Sequence, residues 1–509
     1  MTFHKEDFNL LFTKDATYYA EQIKRKEVTV TDIVIEALKN IERLNPKLNA
    51  VTHIQVSEAL MEAEAFDEKL ASSTDEEIEQ LPPFYGVPIL LKDLGHSQAG
   101  QPDTSGAKLL AEHVATENNH FVEQVLAGGF IIIGRTNVPE FGFKNETDAE
   151  FTGPAASPFD TSLNAGGSSG GAASALKAGL VPIVTASDGG GSIRIPASFN
   201  GLIGLKTSRG RVPVGPGSYR GWQGASVNFA LTKSVRDTWA MLKLMQVEQL
   251  EAPFVLPKIE ETTLDPLDKK LKFAYSFESP IGHEVTEDAK NTVRIAVKKL
   301  KELGHETVEK TPETDGIRAM TTYYIVNGVE TAAMIEGIEQ GMDRSVTVDD
   351  MEPMSWALYQ SGLNISGVEY SKVLAFWDQL TAQTEAFFEE YDAVILPATN
   401  GPAFPHSHFA PSEELLEQLK NIEQYDQAEQ QALIWKMFEH SLDYTPFTQQ
   451  QNLTGQPAIS LPLYETDAGL PIGTQIWTKK GAERLLLQIA QEFEQAGALK
   501  TDIIGLSPF

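Results

Sequence analysis

Apolar residues recur along the chain with two different spacings, and the spacing changes near residue 86. In the first ninety residues it is helical. From Thr31 onward Val34, Leu38 and Ile41 fall on one face, and Asn45-Pro46 is expected to end the run because proline removes a backbone donor. From Gly86 short continuous apolar runs alternate with helical stretches. Residues 87–91 are such a run after a proline-rich loop, residues 119–128 read as a helix, and residues 130–133 are another run. Runs of this kind are strands buried on both faces, so the alternation predicts an α/β fold with a largely parallel sheet covered by helices on both sides.

The alternation returns further on. Residues 271–275 read as a strand and residues 286–303 as a helix closed by Gly304. Residues 393–396, 458–463 and 473–477 read as strands and residues 483–493 as an amphipathic last helix. No internal repeat and no linker rich in Gly, Ser or Pro divides the chain. The expected layout is one domain over 1–509. It comprises N-terminal helices over 1–80, a core with the chemistry over 86–240, a peripheral α/β lobe over 241–390 and a return to the sheet over 391–509.

Composition narrows the function classes. The chain has 41 basic and 71 acidic residues, a formal net charge of −30, and no basic stripe, so nucleic acid is not expected as a partner. The acidic stretches at 74–79 and 413–417 read as solvated surface rather than cation sites. With no cysteine, disulfides, thiolate metal sites and a cysteine nucleophile are excluded. None of the ten histidines has zinc-protease spacing or the surroundings of a triad base, so each reads as surface or core. No metal is expected. No apolar run approaches the roughly 20 residues that span a bilayer. Lys5, Glu6 and Asp7 precede only a short apolar patch, so no leader is expected. The reading is a cytoplasmic protein without membrane contact, with a homodimer left open.

The most unusual stretch spans residues 164–206. It contains Gly166-Gly167-Ser168-Ser169-Gly170-Gly171 and, further on, Asp188-Gly189-Gly190-Gly191-Ser192-Ile193-Arg194. Either half alone reads equally as a flexible loop. The second half, however, follows the apolar run 181–186 and precedes a plausible helix start, which puts its glycines at a strand-to-helix turn. Backbone N–H groups at such a turn can converge on one point, and a donor aimed at a developing oxyanion is worth about 3 kcal/mol. Ser192, last in the run, is the natural nucleophile.

Competing motifs fail on context. Gly166-x-Ser168-x-Gly170 matches a nucleophile elbow, yet residues 160–165 before it are polar and turn-like where that motif needs a strand. Residues 201–207 resemble a phosphate loop, but Leu205 stands where glycine must precede lysine. A serine without an obvious histidine needs another base, and Lys92 ends the apolar run Pro88-Ile89-Leu90-Leu91. Burial there would lower its pKa into a useful range, although a lysine snorkelling at a strand end fits the local sequence too.

These residues together resemble the amidase signature family: Lys92-Asp93 at a strand end, the run from Gly166 to Gly171, residues 188–197, Gly201 and Gly204-Leu205-Lys206, with Ser192 following Ser168 by 24 positions. Supporting stretches lie at 136–142, 210–237, 391–398 and 454–475. The resemblance implies a mixed sheet in a single α/β domain and a triad of Ser192, Ser168 and Lys92, with a cis peptide bond between Gly167 and Ser168. It further implies an oxyanion hole from the N–H groups of Gly189, Gly190, Gly191 and Ser192, supported by Ser169, Asp188 and Arg194. Asp188 and Arg194 equally fit a structural ion pair. The implied activity is hydrolysis of a small-molecule amide through an acyl-enzyme, with no cofactor.

Two departures bear on substrate. Residues 101–106 are less threonine-rich than the family's usual stretch, and Asn164-Ala165 replaces threonine-proline. Beyond Lys206, Ser208-Arg209-Gly210-Arg211-Val212-Pro213 and Gly215-Pro216-Gly217 resemble stand-alone amidases and hydrolases of nylon-type cyclic amides. They are less similar to the glutaminyl-tRNA amidotransferase A subunit, a glutaminase that works in a complex. Phe141, Phe143, Tyr219 and Trp222, with Tyr323, Tyr324 and Phe447, are aromatics that either join the core or line a cleft for small, neutral, largely apolar amides.

Overall fold

The computed structural model describes residues 12–504, so the segment around Lys5, Glu6 and Asp7 lies outside the described residues. Eleven strands form one sheet. In chain order they are β1 Val51–Ile54, β2 Pro88–Lys92, β3 Ile131–Thr136, β4 Ile183–Asp188, β5 Ile203–Lys206, β6 Val227–Thr232, β7 Lys272–Tyr275, β8 Glu306–Glu309, β9 Ala393–Pro397, β10 Ala458–Glu465 and β11 Pro471–Trp477. Their order across the sheet is β1-β3-β2-β4-β6-β5-β10-β11-β9-β7-β8. Every residue of β2, β3, β4, β5, β9 and β11 is buried. Successive side chains point to opposite faces, so both faces are covered as the continuous apolar runs required.

The sheet is mixed, and its parallel share is smaller than expected. Parallel ladders join β3, β2 and β4 near one end and β9, β7 and β8 at the other. The remaining ladders are antiparallel and outnumber them. An apolar run records burial on both faces, and it reads the same whichever way the neighbouring strands run. The tight turn between β10 and β11, in which Gly469 N–H donates to Thr466 O, is one source of the antiparallel pairs.

Two local expectations at the N-terminus needed correction. The helix Val30–Leu48 runs through Pro46, and Asn49 ends it in the left-handed conformation at φ 46°. Proline in the last turn removes one bond without breaking the helix. Asn45 instead organises the exit: its Oδ1 accepts from the N–H groups of Ala50 and Val51, each at 2.8 Å, and its Nδ2 donates to Val51 O at 2.8 Å. That brace starts β1, a strand of four residues too short to show in a region read as wholly helical.

The segment 241–390, expected as a peripheral lobe, divides. β7, the helix Glu287–Glu302 and β8 belong to the sheet. The helices Gly316–Met342 and Pro353–Leu363 instead share an apolar cluster with Glu413–Lys420 and Gln427–Tyr444, so the helical lobe crosses residue 390. Phe141 is buried in that same cluster, which ties the lobe to the loops around the glycine- and serine-rich segment.

Asn45→Ala should leave the N–H groups of Ala50 and Val51 without their acceptor and lower the thermal unfolding midpoint by about 2 °C, given roughly 1–3 kcal/mol for an unsatisfied buried donor. Differential scanning calorimetry checks this, and an unchanged midpoint would show that the brace contributes nothing.

Candidate active site

Lys92 is the last residue of β2 and is completely buried. Its Nζ lies 2.7 Å from Ser168 Oγ, 2.9 Å from Ser187 Oγ and 3.4 Å from Ser187 O. Among the described residues no carboxylate bonds to it. Burial therefore dominates and brings its pKa down to about 7, against a weaker upward pull from Asp188. The Lys92 N–H donates to Thr185 Oγ1, and the same oxygen contacts Nδ1 of the buried His96 at 2.8 Å. Burial, together with the charges of Lys92 and Arg135, holds His96 well below the usual imidazole range. His96 is thus a core histidine stacked on Phe121, in keeping with the sequence reading.

Ser168 sits in the turn leading into the helix Gly170–Lys177, and the Gly167–Ser168 peptide is cis. The preceding chain is a loop braced by Asn164 Oδ1, which accepts from Thr147 N–H and Gly166 N–H, and by Thr147 Oγ1, which donates to Gly166 O. Ser169 is buried at the N-cap of that helix, and its Oγ donates to Ser187 O at 3.3 Å.

The second half of the motif is organised by Asp188, where β4 ends. Its carboxylate accepts from the backbone N–H of Gly191 at 2.7 Å and Ile193 at 3.1 Å, from Arg194 Nε at 2.9 Å and Nη2 at 2.8 Å, and from Asn452 Nδ2 at 2.9 Å. Arg194 Nη1 reaches Gln451 and Gln475, and Nη2 also reaches Asn452. Asp188 and Arg194 are both fully buried. Burial pushes the Asp188 pKa up, but the charge and hydrogen bonds of Arg194, together with Lys206 and Asn452, outweigh it and hold the carboxyl well below the usual range. The pair left undecided by the sequence is therefore a buried ion pair that also shapes the turn.

That network changes the reading of the three glycines. Gly191, at φ +132° with Thr448 and Ile195 against the place a Cβ would occupy, spends its N–H on Asp188. Among the described residues no such bond engages the N–H groups of Gly189, Gly190 or Ser192. The Gly189 carbonyl accepts from Tyr323 OH at 3.1 Å and the Gly190 carbonyl from Thr448 Oγ1 at 2.8 Å, which fixes both peptides. The candidate oxyanion donors thus narrow to Gly189, Gly190 and Ser192.

Ser192 and Ser168 lie on the wall of one cavity of about 360 Å³. No hydrogen bond joins their hydroxyls among the described residues, so only the Lys92–Ser168 link of the expected triad is closed here. Phe141, Phe143, Trp222, Tyr323 and Tyr324 line the same cavity. Phe143 stands 5.8 Å from Phe141 and 6.2 Å from Trp222, ring centre to ring centre.

The family model described as Amidase matches residues 32–487, a span that contains Lys92, Ser168, Asp188, Ser192 and Arg194. The chain belongs to the amidase family. It is 37% identical over 480 residues to a lipoamidase of Enterococcus faecalis, covering 93% of this chain and 62% of that protein. The chain thus spans less than two thirds of the length of that relative. It is 31% identical over 495 residues to a 6-aminohexanoate-cyclic-dimer hydrolase of Paenarthrobacter ureafaciens, covering 95% and 94%. A solved structure of 6-aminohexanoate cyclic dimer hydrolase matches with a TM-score of 0.86 at 28% identity, covering 97% of this chain and 98% of that one.

In this amidase-family chain two of the aromatics singled out from the sequence fall elsewhere. Tyr219 packs against Gly215 and lies edge-on to His120, outside the cavity wall. Phe447 is buried against Val285 and Ala289. Conversely, Ser187, Thr448, Gln451 and Asn452 escaped notice. Ser187 adjoins Asp188 and was open to suspicion, whereas Asn452 meets Asp188 across 264 positions and no local pattern announces it.

Arg194→Ala would leave Asp188 as an unpaired buried charge, a loss of about 3–5 kcal/mol. A marked fall in the thermal unfolding midpoint is expected. A midpoint within a degree of the unmodified protein would exclude a stabilising role for the pair.

Proposed function

We propose that this protein hydrolyses carboxamide C–N bonds of small, largely apolar amides through an acyl-enzyme on Ser192. The observation that carries the reading is the 2.7 Å contact between a completely buried Lys92, its pKa brought down to about 7, and Ser168 Oγ, Ser168 lying with Ser192 on the wall of one cavity. As a neutral amine, Lys92 has two N–H bonds and one lone pair. Ser187 Oγ and Ser187 O take the two donors, which leaves the lone pair for the Ser168 proton. The relay requires the Ser192 hydroxyl to reach Ser168, with which it shares the cavity wall.

In this mechanism Ser192 Oγ attacks the amide carbonyl while its proton passes to Ser168 and the Ser168 proton to Lys92. The Gly189, Gly190 and Ser192 N–H groups stabilise the oxyanion. The relay runs backward to protonate the leaving amine, and water entering by the same route releases the acid. The aromatic wall of Phe141, Phe143 and Trp222 favours substrates that are apolar around the scissile bond. The relatives agree in kind, since the 6-aminohexanoate-cyclic-dimer hydrolase is named for a cyclic amide. The net charge of −30 disfavours a polyanionic tRNA substrate. A glutaminase acting in a complex is the competing reading.

Ser192→Ala should cut kcat/KM by a factor of at least about 10³ with an unchanged thermal midpoint, because it removes the attacking oxygen and little packing. Residual turnover within tenfold of the unmodified protein would dismiss Ser192 as nucleophile. The active form of Lys92 is the deprotonated one, so kcat/KM should rise with pH and reach half its plateau near about pH 7. A profile flat from acid to alkali would exclude a lysine base.

Substrate class is tested by assaying hexanamide, an aryl anilide and a cyclic amide beside glutamine, with no partner added. Turnover of the apolar amides is expected. Glutaminase activity that needs a second subunit, without turnover of the apolar amides, would overturn the assignment in favour of the competing reading.

A further inference from the structure

A second cavity of about 190 Å³ adjoins the first, and Asn145, Phe438 and Ser441 line both. The two spaces thus share part of their walls. Its wall has two chemistries. Met354, Phe409 and Met437 give an apolar surface, and Glu146, Asp148, Glu150 and Glu352 present four carboxyl groups against the single ammonium of Lys144. That ammonium is committed, at 3.1 Å from Asp148 Oδ1 and 2.8 Å from Glu352 Oε2. Glu352 Oε1 is occupied as well, accepting from Glu150 N–H at 2.9 Å.

Glu146 is different. Only 6% of it is exposed, and its Oε2 has no hydrogen-bond partner among the described residues. A buried carboxyl without a partner is costly, and such groups in native proteins call for an explanation. A cavity with an apolar wall, an excess of acid and one carboxyl oxygen without a partner is complementary to an alkyl chain ending in a protonated amine.

We propose that this cavity is a subsite for the alkylammonium end of an amide substrate, with Glu146 and Asp148 as the groups that recognise the charge. The inference rests on the reading that the first cavity holds the scissile amide at Ser192. It also refines the substrate class: uncharged at the reacting end, cationic at the far end. Burial, followed by the charge of Asp148, pushes the Glu146 pKa up, which favours its protonated form before the amine binds. A primary amine, with its ordinary pKa near about 10.4, arrives charged and displaces that proton.

The test is isothermal titration of full-length Ser192→Ala protein, which binds without turnover, with ω-amino alkanamides of increasing chain length. The matching alkanamides, in which a methyl replaces the ammonium, are the reference. At the best length the amino compound should bind at least about tenfold more tightly at pH 7 and release up to about one proton, measured in buffers of different ionisation heat. Adding Glu146→Gln should reduce the preference to about twofold or less and abolish the proton release. Asp148→Asn should weaken the preference without abolishing the release, and thermal melts verify that each variant is folded. Equal affinities at every chain length, or a preference that survives both substitutions, would overturn the proposal. Preference without hydrolysis by the unmodified protein would instead refute only the hydrolase reading, and hydrolysis without preference only the subsite.

Discussion

A single carboxylate, Asp188, holds the centre of this molecule together. It ends a fully buried strand, receives two guanidinium nitrogens of Arg194, and takes the N–H groups of Gly191 and Ile193 on either side of Ser192. Charge-assisted bonds of this kind are about twice as strong as neutral ones. Because they bracket Ser192, the orientation of the candidate nucleophile follows from where Asp188 sits. Asn452, Gln451 and Gln475 complete the shell, so the turn is anchored to the C-terminal part of the chain as well.

The same burial has opposite consequences for Asp188 and Lys92. Both are completely buried, and for each the largest effect is the loss of water around its charge. Asp188 has a guanidinium in direct contact, and its charge and hydrogen bonds, added to those of Lys206 and Asn452, outweigh the desolvation cost. Among the described residues the hydrogen-bond partners of the Lys92 amine are serine oxygens, and the desolvation cost prevails. One group is thereby kept ionised and the other brought near neutrality within a few ångströms of the same turn, which is how pKa values at reacting centres are separated.

The helical lobe supplies what the sheet cannot. The sheet edge positions Lys92, Ser187 and Asp188, whereas Tyr323, Tyr324 and Phe438 arrive on helices of the lobe and close the cavity over Ser192. The acidic second cavity lies where that lobe meets the loop 144–150 and residues 407–411. The candidate catalytic residues thus cluster at strand ends and the turns that follow them, and the walls of both cavities are completed by the lobe against the loops.

Much of the site was legible in the sequence because its parts are local. The Gly189-Gly190-Gly191-Ser192 turn stands out by residue type and by the apolar run before it, whereas the Ser168 loop and Lys92, each ambiguous alone, became legible only through the combined motif and the resemblance it carries. Most strand and helix positions were legible for the same reason, since burial on one or both faces imposes a period on the residues themselves. Strand direction was not, because an apolar run is indifferent to the direction of its neighbours, and β1 was too short to have a period at all. The tertiary structure alone decided that Gly191 spends its N–H on Asp188, that Tyr219 and Phe447 lie away from the cavity, and that Asn452 and Thr448 reach the turn. It alone joined the helices on both sides of residue 390 into one lobe. Those outcomes depend on contacts between segments hundreds of positions apart, and no local pattern encodes which distant side chain will fill a given space.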